Sequence, residues 1–349
     1  MQISFEIFTV NKRFPLTISR GTTAQTTNIW VKIEQDRIEG WGEASPFSLG
    51  NYRQSTQTLK DALQQVALLL NNFSPLEQQQ IELVLDKAQV PSAARAALDM
   101  ALHDWLGKKV GLPLWQLWGL DRNQIVPTSV TIGINTPQAA KARVRDWLQF
   151  TDVRVFKVKL GSPDSIKADQ EMLIAVREEA REQELYVDAN GGWNLEDAVT
   201  MCNWLAEFGV KYVEQPLAQR KEDQLAHLKE RSPLPIFVDE SCHTSSDIPS
   251  LANSVDGINI KLMKAGGLTE AMRMVHTARA LGLQVMFGCY SDSSLSNTAA
   301  VHLSPLADYL DLDSHLNLID DPFSGANIQD GRVLPNYQPG LGVSRAPGI

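Results

Sequence analysis

Two hydrophobic rhythms divide this chain. Near its start, Met1-Gln-Ile-Ser-Phe-Glu-Ile-Phe alternates apolar and polar residues, the period of a half-buried strand. Strands are predicted at Ile3–Thr9, Asn28–Glu34 and Ile38–Glu43, the last two joined by a polar turn. The spacing then becomes helical over Tyr52–Asn71, Pro75–Ala88 and Ser92–Lys109. In the third stretch Ala96, Ala97, Met100, Ala101, Asp104 and Trp105 recur at helical spacing, and Gly111-Leu-Pro113 stops the helix. Strands followed by helices predict an α+β domain over residues 1–125.

From Val126 the pattern changes to strict alternation of strand and helix. Strands are predicted at Thr128–Gly133, Val155–Lys159, Leu185–Asp188, Tyr212–Glu214, Ile236–Asp239, Gly257–Lys261, Gln284–Gly288 and Tyr309–Leu312. Helices between them are predicted at Pro137–Leu148, Asp164–Gln183, Leu195–Phe208, Glu222–Glu230, Ser246–Ala252, Thr269–Leu281 and Leu295–Leu303. Eight parallel strands close a β/α barrel, here over residues 126–320. The last helix is expected to be short or missing, because Asp320-Asp-Pro-Phe-Ser-Gly325 and Pro339-Gly-Leu-Gly342 are rich in turn residues. The tail, residues 321–349, is expected to return to the first domain.

Composition narrows what such a chain can do. Its 349 residues are 43% hydrophobic, ample for a large core. A net charge of −9 argues against a nucleic-acid or anionic-membrane surface, either of which needs a basic patch. No apolar run reaches the length of a membrane span, and the N-terminus lacks the layout of a signal peptide. Three widely spaced cysteines, Cys202, Cys242 and Cys289, read as free thiols, which points to a cytoplasmic protein. The expected partner is a small molecule; the oligomeric state, a homo-oligomer included, is not legible.

The strand ends carry the chemistry. Lys159, Asp188, Glu214, Asp239, Lys261 and Asp311 each follow a short apolar run, at steps of roughly 22 to 29 residues and then one double step. Asp188, Glu214 and Asp239 end three consecutive strands. Three hard oxygen donors, with no histidine or cysteine at equivalent positions, suit Mg²⁺. One such acid is as readily a helix cap; three in register argue for a metal. Lys159 on the second strand and Lys261 on the sixth face each other across these acids. That layout removes a proton from one side of a carbon and returns it from the other. Lys157, two residues before Lys159 on the same strand face, supplies a cation expected to lower the pKa of the base. Lys264, one turn past Lys261, reads as a solvated or loop-positioning lysine, and Trp193 as core packing.

Lys157-Val-Lys159, Asp188-Ala-Asn190, Glu214-Gln-Pro216, Asp239-Glu-Ser241 and Ile258-Asn-Ile-Lys-Leu-Met-Lys-Ala-Gly-Gly267 together resemble the enolase superfamily, specifically its muconate-lactonizing-enzyme-like subgroup. Gly40-Trp-Gly-Glu-Ala44 and the Ala93–Trp118 region extend the likeness over essentially the whole chain. The resemblance implies an α/β fold, a modified (β/α)7β TIM barrel with an N-terminal α+β capping domain. It implies one Mg²⁺ on Asp188, Glu214 and Asp239, supported by Asn190 and Glu240. It also implies Lys159 and Lys261 as the acid/base pair, with Lys157 holding a substrate carboxylate. Removing an α-proton from a carboxylate creates a doubly charged enediolate, which a metal and a lysine base make accessible in enolase-type sites.

Within the subgroup, Asp311-Leu-Asp313 looks like the paired-aspartate motif of dipeptide epimerases. Two alternating carboxylates share a strand face and can bind the ammonium of a dipeptide. Ile18-Ser-Arg-Gly21 is similar to the arginine-bearing loop of L-Ala-D/L-Glu epimerases, where Arg20 would meet a glutamate side chain. In Cys289-Tyr-Ser-Asp292, Asp292 stands where many relatives carry glutamate, and with Tyr290 it is expected to border the substrate. The reading is a Mg²⁺-dependent dipeptide epimerase inverting the α-carbon of the C-terminal residue, with L-Ala-D/L-Glu, a murein peptide, as first candidate. The alternatives are a dipeptide epimerase of non-Glu specificity, or an o-succinylbenzoate synthase, cycloisomerase or N-acylamino-acid racemase of the same subgroup. A barrel that only binds ligands is disfavoured, because neither a metal ligand nor a base is missing.

Overall fold

The computed structural model describes residues 1–19, 21–49 and 52–346. β1 (Gln2–Ile18), β2 (Gly21–Gln35) and β3 (Ile38–Ala44) form an antiparallel sheet in that order. The β1–β2 hairpin runs well beyond the predicted strands, because the threonine-rich start of β2 continues the pairing as far as Ile18 and Gly21. Its far end lies on the barrel: Ile134 N donates to Thr17 O (2.8 Å) and Phe14 N to Asn317 Oδ1 (2.8 Å).

β4 (Phe47–Leu49) pairs with β5 (Tyr52–Gln54), so the first helix starts later than its periodicity predicted. Ser55 caps α1 (Thr56–Leu70) by accepting from Thr58 N (3.2 Å), and α2 (Gln78–Lys87) and α3 (Ser92–Val110) follow. α3 lies on β3 at close range. A Cβ at Gly40 or Gly42 would stand 2.0 or 1.9 Å from the carbonyl oxygens of Ala101 and Ala97, so only glycine lets helix and strand meet.

Among the described residues, eight parallel strands follow: β6 (Ser129–Ile132), β7 (Val155–Lys159), β8 (Glu184–Asp188), β9 (Val210–Glu214), β10 (Ile236–Val238), β11 (Gly257–Ile260), β12 (Gln284–Gly288) and β13 (Tyr309–Asp311). Each is hydrogen-bonded to the next, and a parallel bridge from Thr128 to Leu310 closes the ring. Helices fill the crossovers as far as Ser294–Val301; after β13 the described residues form one 3-10 turn, Ser314–Asn317, and short strands, with no further α-helix. This is the (β/α)7β barrel under an α+β cap that the sequence predicted. Two crossovers are thinner than expected: Ser246–Ala252 reduces to the single turn Ile248–Leu251, and Glu222–Glu230 opens as the 3-10 turn Glu222–Gln224. The tail lies against α3 and the segment after it, with Leu341 N donating to Asp104 Oδ1 (2.7 Å) and Gly340 N to Leu112 O (3.0 Å). Among the described residues no helix is long and apolar enough to cross a membrane.

Candidate active site

The two-residue period of the barrel strands decides what the interior holds. Val155, Lys157 and Lys159 succeed one another along β7. The same step separates Tyr186 from Asp188, Tyr212 from Glu214, Phe237 from Asp239, Asn259 from Lys261 and Tyr309 from Asp311. The first members of most of these pairs form an apolar cluster, and the ionisable members gather at the C-terminal mouth.

There the charges interlock. Lys159 Nζ donates to Asp188 Oδ2 (2.5 Å). Lys157 Nζ lies 2.6 Å from Glu214 Oε2, 2.8 Å from Asp311 Oδ2 and 3.4 Å from Asp188 Oδ2. Lys261 Nζ donates to Asp239 Oδ2 (2.8 Å), and Asn259 Nδ2 to Glu214 Oε1 (2.8 Å). Lys159 and Lys261 thus stand on opposite flanks of the Asp188–Glu214–Asp239 trio. Lys264 is not the solvated lysine its spacing suggested. It is buried, and it donates to Asp239 Oδ1 (2.8 Å), to Asp239 O and to Asn259 O (3.0 Å). The short helix Leu262–Ala265, one turn directly after β11, brings it back onto the strand end. No apolar period marks so short a helix in the sequence.

Burial raises the pKa of every acid here, and the lysines then separate them. Against burial, Lys159 and Lys157 bring Asp188 down to about 2. Lys261 and Lys264 likewise hold Asp239 below the carboxylate range. Glu214 goes the other way, to about 7, raised by burial and by Asp188 and Asp239 more than Lys157 lowers it. Burial lowers the pKa of Lys261, and Lys157 lowers it further, as expected, but other neighbours set the net direction. The carboxylates outweigh burial and hold Lys157 and Lys261 well above the ordinary value. Lys157 is fully buried and, as placed, enclosed by three acids at the floor of the site.

The backbone beyond the acids is strained. Asn190 (φ +45°) and Gln215 (φ +38°) both adopt left-handed conformations, which side chains at the site maintain. Asn190 donates from N and Nδ2 to Asp188 (2.8 and 3.1 Å), and Nδ2 also approaches Glu240 Oε1 (3.4 Å). Gln215 Oε1 accepts from Asp239 N (2.9 Å). As placed, each acid faces an ammonium, and among the described residues no three acid, histidine or cysteine side chains gather as a ready metal centre. The donor set still fits a hard divalent cation. It is all oxygen, it sits on three successive strands, and Glu214 is flanked by carboxylates that disfavour its charge.

Across the mouth, Asp311 Oδ1 accepts from Ser129 Oγ (2.7 Å) while its other oxygen serves Lys157. Asp313 Oδ2 accepts from Thr131 N (2.7 Å), and Lys12, which lines the same cavity, is a cation acting on it. Burial and the neighbouring Asp311 push Asp313 up to about 6, whereas Lys157 and Lys159 outweigh burial and hold Asp311 below the usual range. Both acids line a small cavity of about 50 Å³ with Lys12, Phe14, Leu16 and Lys159. A more open cavity of about 890 Å³ joins Lys159, Asn190 and Lys261 to Leu16, Ile18, Phe47 and Tyr290. Tyr290 stacks on Phe47 (centroids 4.8 Å apart, planes at 9°), and its ring lies 4.6 Å from Lys261 Nζ. Asp292 is buried behind it and folds back on its own turn, accepting from Tyr290 N (3.1 Å). Arg20 lies outside the described residues. Trp193 packs in the core, donating to Asp169 Oδ2 (3.0 Å), and all three cysteines are free.

This geometry has close relatives. Residues 2–119 match the model for the mandelate racemase / muconate lactonizing enzyme N-terminal domain, and residues 138–347 the enolase C-terminal domain-like model. The chain is 46% identical to the hydrophobic dipeptide epimerase of Flavobacteria bacterium (strain MS024-2A), covering 98% of both. It is 36% identical to the L-Ala-D/L-Glu epimerase of Bacteroides thetaiotaomicron, covering 99% of this chain and 88% of that one. Among solved structures, the dipeptide epimerase of Cytophaga hutchinsonii complexed with Mg and D-Ala-L-Val superimposes with a TM-score of 0.94 at 28% identity, covering 100% of this chain and 96% of the other. Shared motifs, shared fold and both domain models agree: the chain belongs to the mandelate racemase / muconate lactonizing enzyme family of the enolase superfamily.

Proposed function

We propose that this protein is a Mg²⁺-dependent dipeptide epimerase that inverts the α-carbon of the C-terminal residue by 1,1-proton transfer between Lys159 and Lys261. One observation carries the reading: the two lysines flank the acid trio from opposite sides, with Asp313 across the mouth. Asp188, Glu214 and Asp239 would hold the Mg²⁺, which when bound supplies positive charge where the substrate carboxylate gains electron density. One lysine takes the α-proton and the other returns a proton to the opposite face. Asp313 binds the substrate ammonium, and Asp311 serves chiefly to hold Lys157 in the floor. The likeness to hydrophobic dipeptide epimerases favours an apolar C-terminal residue over glutamate, which Leu16, Ile18, Phe47 and Tyr290 could meet in a cavity also lined by Arg53 and several threonines and glutamines. The free cysteines favour a cytoplasmic location.

The test is incubation with L-Ala-L-Leu and L-Ala-L-Glu in D₂O with Mg²⁺. Deuterium is expected at the C-terminal α-carbon as the L,D epimer accumulates, faster for the leucine peptide, and chelation of the metal should stop both processes. No exchange across a dipeptide panel, together with dehydration of a succinylbenzoate precursor, would overturn the reading.

A further inference from the structure

Glu43, the fourth residue of Gly40-Trp-Gly-Glu-Ala44, belongs to the capping sheet, yet its carboxylate is buried in the barrel. Its Oε1 accepts from Ser293 N (3.0 Å) and Asn28 Nδ2 (2.6 Å), and its Oε2 from Ser293 Oγ (2.5 Å) and Ser296 N (3.1 Å). Ser45 Oγ adds a longer contact (3.3 Å). Asn28 Nδ2 also donates to Ser291 O (2.9 Å). Two strands of the cap therefore grip one turn of the barrel at both Ser291 and Ser293. Between that grip and the end of β12 lies Tyr290, whose ring meets Lys261 on one side and the cap residue Phe47 on the other.

We propose that Glu43 is a positioning residue for the reaction: through Ser293 and Asn28 it fixes the Tyr290 turn against Lys261, so that the cap sets the geometry of one of the two proton-transfer groups. This rests on the two-lysine reading above. The partners explain why a carboxylate is needed. Asn28 Nδ2, Ser293 N and Ser296 N can only donate, so the amide of a glutamine would turn an NH₂ group toward at least one of them. Lys159 borders the same cavity as Tyr290, but the direct ring contact of Tyr290 is to Lys261 on the other flank. The clamp therefore acts on one face of the α-carbon.

That asymmetry is measurable, because solvent deuterium can enter each epimer with retention, through the single lysine that serves its face. The Lys261→Ala variant first identifies which epimer depends on Lys261. The assays run at pH 8, above the value of about 7 to which burial and Asp292 raise Glu43. In Glu43→Gln, wash-in to that epimer should fall about tenfold or more relative to wash-in to the other, the scale of a lost hydrogen bond to a charged acceptor. Asn28→Ala should shift the ratio in the same direction, which keeps the test alive if Glu43→Gln does not fold. Glu82→Gln, which cuts the exposed cap-to-barrel ion pair with Arg273 (2.5 Å), should leave the ratio unchanged. Equal loss on both faces, no loss, or loss on the Lys159 face would overturn the inference while leaving the epimerase reading intact. Absence of wash-in from the unmodified enzyme would overturn both.

Discussion

The two ends of the barrel interior are built on the same strands and share almost no chemistry. At the N-terminal end Tyr186, Tyr212, Phe237 and Tyr309 stack into one aromatic plug, with ring centroids 4.7–5.5 Å apart. Gly257 makes room for it, since a Cβ there would stand 2.2 Å from the Phe237 ring. One pleat further along these strands the residues are Asp188, Glu214, Asp239 and Asp311, each facing a lysine. The contrast teaches a division of labour. The plug supplies apolar burial and keeps water from beneath Lys157, so the ion pairs above it act in a medium where charge is costly and geometry is enforced. Even its polar atoms stay neutral: Tyr212 Oη donates to Met286 Sδ (3.2 Å), and burial holds the Tyr212 pKa well above its ordinary value.

If that division is real, the ends respond to mutation differently. Lys261→Ala should slow exchange at one face of the α-carbon by about 10³- to 10⁴-fold, the upper range of a proton-transfer group. Its unfolding midpoint should move little, because Lys264 still holds Asp239. Phe237→Ala should do the reverse, costing about 3–5 kcal/mol in urea unfolding. Its turnover per folded molecule should be nearly unchanged. A loss of turnover as large as that of Lys261→Ala would show that the plug also orients the charged layer.

The charged layer was more legible in the sequence than the structure around it. Strand-end acids and lysines recur at the β/α step, and a period of two needs only a few residues to declare itself. Lys264 escaped because its helix is a single turn, too short for apolar periodicity. The β4–β5 hairpin escaped because Tyr52 continues the spacing of α1, and only the cap at Ser55 separates them. Glu43 was legible as part of a motif but not as a clamp. Its partners, Ser293 and Ser296, lie some 250 residues away, and no local pattern predicts a contact between a strand of the cap and the start of a barrel helix.

The smallest expected effect separates the two acids at the end of β13, which the sequence treats as equals. Asp311 is held ionised by Lys157, and removing it would disturb the floor as well as any ammonium site, so Asp313 is the cleaner probe. An acid raised to about 6 binds an ammonium only above that pH. Its contribution is present at pH 8 and lost as pH falls through 6, so kcat/KM should decline on that acid limb. Asp313→Asn should lower kcat/KM at pH 8 by about 10- to 100-fold, chiefly through KM, and should remove the limb. A limb that survives in the variant would belong to another group. The ammonium site would then have to be sought away from Asp313.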